Sequence, residues 1–254
     1  LNLRMLRKRA GKNSIVIKIG GLASQQLSQS CVKQIKQWHK EGKQIVVVHG
    51  GGFAIDKLMA EQHLSVEKID GLRVTSKDVM KLVEYSLFQI VGPSITSSLN
   101  NAGCDSIQIK SSLGKIIEAD YLNQEKYGFV GQITKVHTQP LEAIMSEGMI
   151  PVIGSMGVCD EQLLNINADY VATAIAVALK AERLILMTDV PGVKEDGAIL
   201  PTLNTTQIEE KIQSGIITGG MIPKIKGASQ TVQAGVETVL ISDNLSRGTL
   251  ICLA

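Results

Sequence analysis

Residues 44–52 read QIVVVHGGG: four β-branched residues, then a histidine and three glycines. This pattern predicts a buried strand that ends in a turn with almost no side chains. Residues 14–21, SIVIKIGG, show the same order of a short apolar strand followed by glycines. Ligands of parallel sheets bind outside the carboxyl ends of the strands. Backbone N–H groups at such glycine turns can cradle a phosphate or carboxylate. Packing alone could explain one glycine turn, but two turns, one of them carrying Lys18, favour a binding function.

Strand and helix patterns alternate along the rest of the chain. We expect strands at 14–19, 45–48, 149–153, 183–188, 238–242 and 249–253, and helices at 24–40, 53–62, 76–101, 139–147, 168–179, 205–214 and 223–234. The alternation predicts an α/β fold, a three-layer α/β/α sandwich with a largely parallel central sheet. A β-rich stretch at 106–133 suggests a hairpin flap. The chain should divide near 154–160 into two lobes that share one sheet, 14–156 and 157–254.

Composition excludes several classes of function. The chain has 254 residues, 44% hydrophobic and 20% charged, with a net charge of +2. So mild a charge argues against nucleic acid or an anionic membrane as partner. The four cysteines lie far apart, so we expect reduced thiols in a cytoplasmic protein. The longest apolar run, 171–179, is too short to cross a bilayer, and the basic start is not a secretory signal.

The glycine turns match neither common nucleotide motif. The sequence contains no G-x-x-x-x-G-K-[ST], and no predicted strand is followed by G-x-G-x-x-G. A nicotinamide-dependent oxidoreductase is therefore a poor alternative.

Two other clusters carry more polar residues than their helices need. NINAD, at 165–169, places Asn165, Asn167 and Asp169 before an apolar helix, and a helix N-cap accounts for only one of them. In GGMIPK, at 219–224, Lys224 falls in the first turn of a predicted helix. A lysine there opposes the helix dipole unless an anion lies nearby. Lys224 is therefore a better functional candidate than an ordinary surface lysine, although a solvated charge would also account for it.

Seven stretches together resemble the amino-acid kinase family, and within it the members that act on N-acetyl-L-glutamate. They are IVIKIGG (15–21), VVVHGGG (46–52), GLRVT (71–75), PVIGSMG (151–157), NINAD (165–169), MTDVPGV (187–193) and ITGGMIPK (217–224). The resemblance implies the amino-acid kinase fold and ATP-dependent phosphorylation of the side-chain carboxylate of N-acetyl-L-glutamate, a step of L-arginine biosynthesis. It also implies Mg²⁺ bound with ATP, with no metal held by the protein alone.

The resemblance assigns roles by position. Lys18 and Lys224 would stabilise the transferring phosphoryl group, and Asp169 would hold both lysines. The residues implied to bind the amino-acid substrate are Gly50, Gly51, Arg73 and Asn165. Those implied to bind the nucleotide are Gly20, Gly21, Asp189, Val190, Pro191, Gly192, Val193, Lys194, Ile216, Ile217 and Thr218.

The chemistry of the reaction fits these residue types. A substrate carboxylate is already ionised at neutral pH, so it needs no general base. The difficulty is to bring one anion onto another, which positioning and positive charge solve. Arg73 can hold a planar carboxylate with two parallel hydrogen bonds. His49 is better explained as a structural histidine at the end of a strand.

Two other functions stay open on the sequence. One is a kinase of carrier-linked aminoadipate or glutamate in a lysine-type pathway. The other is a non-catalytic sensor that binds acetylglutamate or arginine. Retention of both lysines and Asp169 disfavours the sensor.

The sequence also suggests an oligomeric state. We expect a homodimer whose interface is the apolar stripe of the 76–91 helix, formed by Val79, Met80, Val83 and Leu87, although the sequence would equally allow this face to belong to the core. Only about a dozen residues precede the first strand, so we expect no response to arginine through an N-terminal helix.

Overall fold

The computed structural model describes residues 13–20 and 26–254. The strands are β1 (Ser14–Ile19), β2 (Gln44–His49), β3 (Lys68–Ile69), β4 (Leu72–Arg73), β5 (Ser106–Ile109), β6 (Ile117–Tyr121), β7 (Gly131–Val136), β8 (Ile150–Gly154), β9 (Met156–Cys159), β10 (Gln162–Asn165), β11 (Arg183–Met187), β12 (Lys194–Glu195), β13 (Ala198–Ile199), β14 (Thr202–Asn204), β15 (Thr238–Ser242) and β16 (Thr249–Cys252). The helices are α1 (Gln29–Lys40), α2 (Gly52–Glu61), α3 (Lys77–Tyr85), α4 (Gly92–Asn101), α5 (Gln124–Tyr127), α6 (Gln139–Ser146), α7 (Ala168–Leu179), α8 (Ile208–Gln213) and α9 (Met221–Gln233).

An eight-stranded sheet forms the centre, in the order β14-β16-β15-β11-β1-β2-β8-β5. The strands from β15 to β5 run parallel, whereas β16 and β14 run in the opposite direction at one edge. Alternate residues of β1 enter two separate cores. Ile15 and Ile17 pack with residues of α1 and α4, and Val16 packs with residues of α6, α7 and α9. The predicted three-layer sandwich with a largely parallel sheet is confirmed.

A second, four-stranded sheet has the order β10-β9-β6-β7. The antiparallel β6–β7 pair is the hairpin expected within 106–133, but β5 belongs to the central sheet. The sheet is completed by the β9–β10 hairpin, which pairs with β6 through Val158 and Glu118. We call this layer the flap. It joins residues from both sides of the expected division near 154–160, and the two-lobe division stays a prediction.

Several helix starts differ from the sequence expectation; α8, for example, begins at Ile208, after a 3₁₀ turn over Thr205–Gln207. Helix α1 begins at Gln29, not at 24, because the Ser28 side chain accepts a hydrogen bond from the Cys31 N–H and caps the helix there. Helix α9 begins at Met221, so Pro223 is its third residue.

The expected long helix at 76–101 is interrupted, as its Gly-Pro pair predicts. Ser76 caps α3, because its side chain accepts a hydrogen bond from the Val79 N–H. A π-helical turn spans Ser86–Val91, and α4 begins at Gly92 with Pro93 in its first turn. Proline lacks an N–H and crowds the preceding turn, so a regular α-helix cannot continue through it.

The stripe expected at a dimer interface lies in the core instead. Val79, Met80, Val83 and Leu87 are at most 7% exposed and pack with residues of α2, among them Ile55. That part of the prediction is wrong, because periodicity identifies an apolar face but not what covers it. The apolar residues that the same segment exposes are Tyr85 and Ile90, at 53% and 40%.

All four cysteines lie in the described part of the chain and are free thiols, as expected. Across residues 13–20 and 26–254, no helix is long and apolar enough to cross a membrane. The basic N-terminal stretch, on which the expectation about arginine rests, lies outside the described residues. The cytoplasmic location stays a prediction.

Candidate active site

Two lysines from distant parts of the chain meet at one carboxylate. Lys18 lies near the end of β1, Asp169 is the second residue of α7, and Lys224 lies in the first turn of α9. Asp169 Oδ1 is 3.0 Å from Lys18 Nζ, an ion pair without hydrogen-bond alignment, and Asp169 Oδ2 is 3.6 Å from Lys224 Nζ. Lys18 Nζ also donates to the Met187 carbonyl at 3.4 Å. Two positive charges and one negative charge leave a net attraction for an anion at this point.

The start of α7 fixes the bridging carboxylate. Asn167 is the N-cap, and its Oδ1 accepts a hydrogen bond from the Asp169 N–H at 2.8 Å. An apolar face that includes Val171 and Ile175 packs the helix against the sheet. Asn167 therefore supplies the predicted cap, and the cap orients the residue that bridges the lysines.

Two cavities adjoin this group. The glycine cavity, of about 230 Å³, is lined by Lys18, Gly20, Gly50, Gly51, Gly52, Ile55, Lys68, Gly71, Leu72, Arg73, Val130, Ser155, Asn165, Ile166, Asn167 and Ala168. The Lys224 cavity, of about 280 Å³, is lined by Asp70, Gly71, Leu72, Asn167, Asp169, Tyr170, Thr173, Leu186, Gly220, Pro223, Lys224, Gly227 and Ala228. Gly71, Leu72 and Asn167 belong to both linings. Lys18 faces one cavity, Lys224 faces the other, and Asp169 joins them.

Packing requires some glycines of the two turns but not others. A Cβ at Gly20 would lie 2.2 Å from Lys18 Nζ, so a side chain there would displace the amine. A Cβ at Gly51 would lie 3.1 Å from Leu87, whereas Gly50 would meet only ordinary contact with Ala168. Gly52 has open space around it and is the first residue of α2. The two turns therefore expose their backbone to the glycine cavity and leave space for the Lys18 side chain. Gly21 lies outside the described residues.

Arg73 and Asn165 are joined by hydrogen bonds beside the glycine cavity. The Asn165 side-chain amide donates to Thr75 Oγ1 at 3.1 Å, and Thr75 Oγ1 donates to the Arg73 carbonyl at 2.9 Å. The Arg73 guanidinium is largely buried, forms an ion pair with Asp56 of α2 and donates to Met59 Sδ at 3.2 Å. The structure therefore brings both expected substrate-binding side chains to the same cavity.

The segments expected to bind the nucleotide lie elsewhere. Residues 189–194 follow β11 and residues 216–218 precede α9, and none of them lines either cavity. The side chains of Val193 and Ile217 are buried in the core, so only their backbone could touch a ligand. The Val193 N–H already donates to Thr249 Oγ1 at 2.8 Å. Nucleotide binding by these segments stays a prediction.

His49 has the properties of a structural histidine. Its ring is fully buried, Nε2 has no hydrogen-bond partner, and Nδ1 lies 3.3 Å from the Gly50 carbonyl. Burial lowers the pKa of His49 to about 4, and the contact with the Gly50 carbonyl opposes this shift. The imidazole is therefore neutral at neutral pH.

This pKa predicts an acid-sensitive contribution to stability. Between pH 6.5 and about 4 the unfolded chain binds a proton that folded His49 does not. The free energy of unfolding should therefore fall with decreasing pH in this window, by up to about 1.4 kcal/mol per pH unit. Urea unfolding of the wild type and of His49→Asn measures the difference as a function of pH. A difference that does not change between pH 7 and 4 would contradict the assignment.

Sequence reasoning from residue types missed the β3–β4 hairpin as part of the site. Its turn residues, Asp70 and Gly71, have positive φ values of 52° and 78°. The Asp70 carboxylate accepts hydrogen bonds from Lys126 Nζ at 2.8 Å and from the Tyr127 hydroxyl at 2.7 Å, and these bonds lower the pKa of that carboxyl. The Asp-Gly pair is a hairpin signal that could have located it.

Asp169 holds Lys18 and Lys224 at the junction of the two cavities. This arrangement is suited to transferring an anionic group from a ligand in one cavity to a ligand in the other. Residues 13–243 match the model of the amino acid kinase family, and the chain belongs to this family. It is 53% identical over 241 residues to the acetylglutamate kinase of Streptococcus mutans, covering 94% of this chain and 98% of the relative. It is 44% identical to the acetylglutamate kinase of Staphylococcus epidermidis with the same coverage. A crystal structure of a Streptococcus mutans UA159 protein superimposes with a TM-score of 0.87 at 52% identity, covering 95% of this chain and 99% of that one.

Proposed function

We propose that this chain is an acetylglutamate kinase, which transfers the γ-phosphoryl group of ATP to the side-chain carboxylate of N-acetyl-L-glutamate in L-arginine biosynthesis. The observation that carries the proposal is the Lys18–Asp169–Lys224 group between two adjoining cavities. The curated relatives from Streptococcus mutans and Staphylococcus epidermidis support the choice of substrate.

The reaction forms one bond and breaks one. A side-chain carboxylate oxygen of the acceptor attacks the γ-phosphorus, and the bond from that phosphorus to the β,γ-bridging oxygen breaks to release ADP. Lys18 and Lys224 stabilise charge on the phosphoryl oxygens during transfer, and Asp169 keeps the two amines in place. No proton has to be removed from the acceptor, so the absence of a role for His49 is consistent with this chemistry.

The two cavities suggest where the ligands bind. We assign the acceptor to the glycine cavity, where Arg73 and Asn165 would hold it, and the phosphates to the Lys18–Lys224 side. In this scheme the segments after β11 and before α9 bind the rest of the nucleotide. The acceptor lobe is then 14–156 and the nucleotide lobe 157–254, with Asn165 of the second lobe reaching the acceptor.

Mg²⁺ would enter with ATP. The described residues contain no group of three or more His, Cys, Asp or Glu placed to hold a metal, and Asp169 is engaged by two lysines. In this proposal the ligands of the ion are mostly phosphate oxygens and water. Bound in this way, Mg²⁺ would neutralise phosphate charge.

A panel of acceptors tests the proposal. Coupled detection of ADP should show turnover with N-acetyl-L-glutamate and at least about a hundredfold lower kcat/KM with L-glutamate, L-aspartate and L-2-aminoadipate, because a site that hydrogen-bonds an acetylamide rejects acceptors that lack it. A preference for aminoadipate would favour the lysine-type kinase. Ligand binding without turnover on any acceptor would favour the sensor.

Arg73→Lys should separate acceptor binding from nucleotide binding. The substitution replaces a planar fork by a point charge, so the KM for N-acetyl-L-glutamate should rise by at least about tenfold while the KM for ATP changes little. Arg247→Lys, an exposed position outside both cavities, serves as the matched control. The opposite pattern of KM values would place Arg73 in the nucleotide site.

We also propose a homodimer, formed through the exposed side of the 76–91 segment. Tyr85 and Ile90 are exposed there, and Phe53 of α2 is 50% exposed beside Ile90 in the lining of a shared cavity of about 310 Å³. Ile90→Asp should shift the protein from dimer to monomer in light scattering, because a buried unpaired charge is costly. Lys33→Asp, at an exposed position of α1 outside this segment and outside the cavity, is the control. A dimer that survives Ile90→Asp would exclude this face.

A further inference from the structure

A larger cavity lies on the face of the central sheet opposite to Lys18. This Trp38 cavity has a volume of about 580 Å³, and α1, β11 and the β15–β16 hairpin contribute to its lining. Its residues Leu240 and Leu245 belong to the same core as Ile17 and Ile19. Lys18 lies between those two isoleucines in β1 and so faces the other side of the sheet. The Trp38 cavity is therefore separate from the two cavities of the candidate active site.

The cavity contains two arginines without a counter-charge. Arg183 and Arg247 both belong to the lining, and neither guanidinium has an ion pair or hydrogen bond within the described chain. Arg183 Nε is buried without a partner. The neighbouring Glu182 is held by Lys43 at 2.5 Å, and no carboxylate is among the described lining residues. A buried donor without a partner is costly, and guanidinium groups favour carboxylate or phosphate.

The remaining walls are suited to an apolar body. The Trp38 indole lies on α1, and the leucines at 240 and 250 come from β15 and β16. The volume falls within the range of small-molecule sites, roughly 300–1,000 Å³. We propose that the Trp38 cavity binds a small anionic molecule with an aromatic or apolar body, whose anionic group is held by Arg183 and Arg247. Such a ligand would bridge α1 and the β15–β16 hairpin.

The single tryptophan makes this site directly observable. Trp38 is the only tryptophan among the 254 residues, so the intrinsic tryptophan fluorescence of the whole protein reports on the cavity. Phenyl phosphate is the probe, because it joins a ring to a phosphate. Phenyl phosphate should change the fluorescence saturably. Phenol lacks the phosphate and inorganic phosphate lacks the ring, so each should bind at least about tenfold more weakly.

Substitutions test whether Arg183 and Arg247 hold the phosphate group of phenyl phosphate. Arg183→Gln and Arg247→Gln should each weaken phenyl phosphate binding by about tenfold, the order expected for losing a hydrogen bond to a charged group. Arg183→Lys should give an intermediate affinity, since the charge remains but the fork is lost. Lys33→Gln, an exposed position on α1 outside this lining, removes the same charge and should have no effect.

Two measurements distinguish binding in the Trp38 cavity from binding in the candidate active site. Lys18→Ala should leave phenyl phosphate binding unchanged, and Arg247→Gln should leave kinase turnover without the probe unchanged. The proposal is overturned if phenyl phosphate gives no saturable change, if phenol binds equally well, or if Arg183→Gln and Arg247→Gln, folded by circular dichroism, bind the probe like the wild type. Loss of probe binding in Lys18→Ala would also overturn it, by placing the probe in the active site.

Discussion

Lys224→Ala and Lys18→Ala should each lower kcat by roughly a hundredfold to a thousandfold, the usual cost of removing a group that stabilises transition-state charge. Both amines lie within 4 Å of the same carboxylate, from opposite cavities, and their removal leaves the phosphoryl group without that compensation. Steady-state kinetics with ATP and N-acetyl-L-glutamate measure the effect. The KM values should change less than kcat, because the interaction is strongest during transfer.

Lys226→Ala is the matched control for the lysines. Lys226 lies two residues beyond Lys224 on the same helix, is about half exposed and pairs with Glu209 at 3.0 Å. Its removal should leave kcat within about twofold of the wild type, since exposed ion pairs contribute little. If Lys224→Ala is folded and turns over at the wild-type rate, the assignment of that lysine to phosphoryl transfer is wrong.

Asp169→Asn should lower kcat by about tenfold to a hundredfold while leaving the KM for ATP unchanged or lower. The substitution keeps the side-chain volume but removes the charge that spaces the two lysines, so they lose their fixed positions without losing their attraction for phosphate. Asp160→Asn, in the exposed turn between β9 and β10, is the control and should be silent.

A double-mutant cycle distinguishes a positioning role of Asp169, exerted through Lys224, from an effect that is independent of this lysine. If Asp169 acts by holding Lys224, the loss caused by Lys224→Ala should be smaller when Asp169 is already asparagine. Asp169→Glu, which keeps the charge on a longer arm, should recover part of the activity. Additive losses, with no recovery in Asp169→Glu, would mean that Asp169 does not act through the lysine.

The sequence predicted the central layers because their signals are local. Short β-branched runs gave β1 and β15 with the bounds that the structure shows, and the N-cap expected within NINAD gave the start of α7. The β9–β10 hairpin was missed. Its turn contains Asp160 in a left-handed conformation, yet no Asn-Gly or Asp-Gly pair marks it in the sequence.

Only part of the candidate active site could be predicted from the sequence. Residue types indicated an anion site at the two glycine turns and beside Lys224, but the meeting of that lysine with Lys18 at Asp169 came only from the family resemblance. Local sequence patterns do not show which side chains meet across a fold. For the same reason, the apolar stripe around Val83 was read as an interface although it packs against α2.

Phosphorus NMR of the reaction mixture tests the central claim most directly. With the protein, Mg²⁺, ATP and N-acetyl-L-glutamate, we predict an acyl-phosphate resonance that grows in step with ADP and disappears when hydroxylamine traps the product as a hydroxamate. The same mixture with Lys224→Ala should show almost none. Formation of ADP with inorganic phosphate alone, or no consumption of ATP by the folded wild-type protein, would contradict the proposal that this chain phosphorylates the side-chain carboxylate of N-acetyl-L-glutamate.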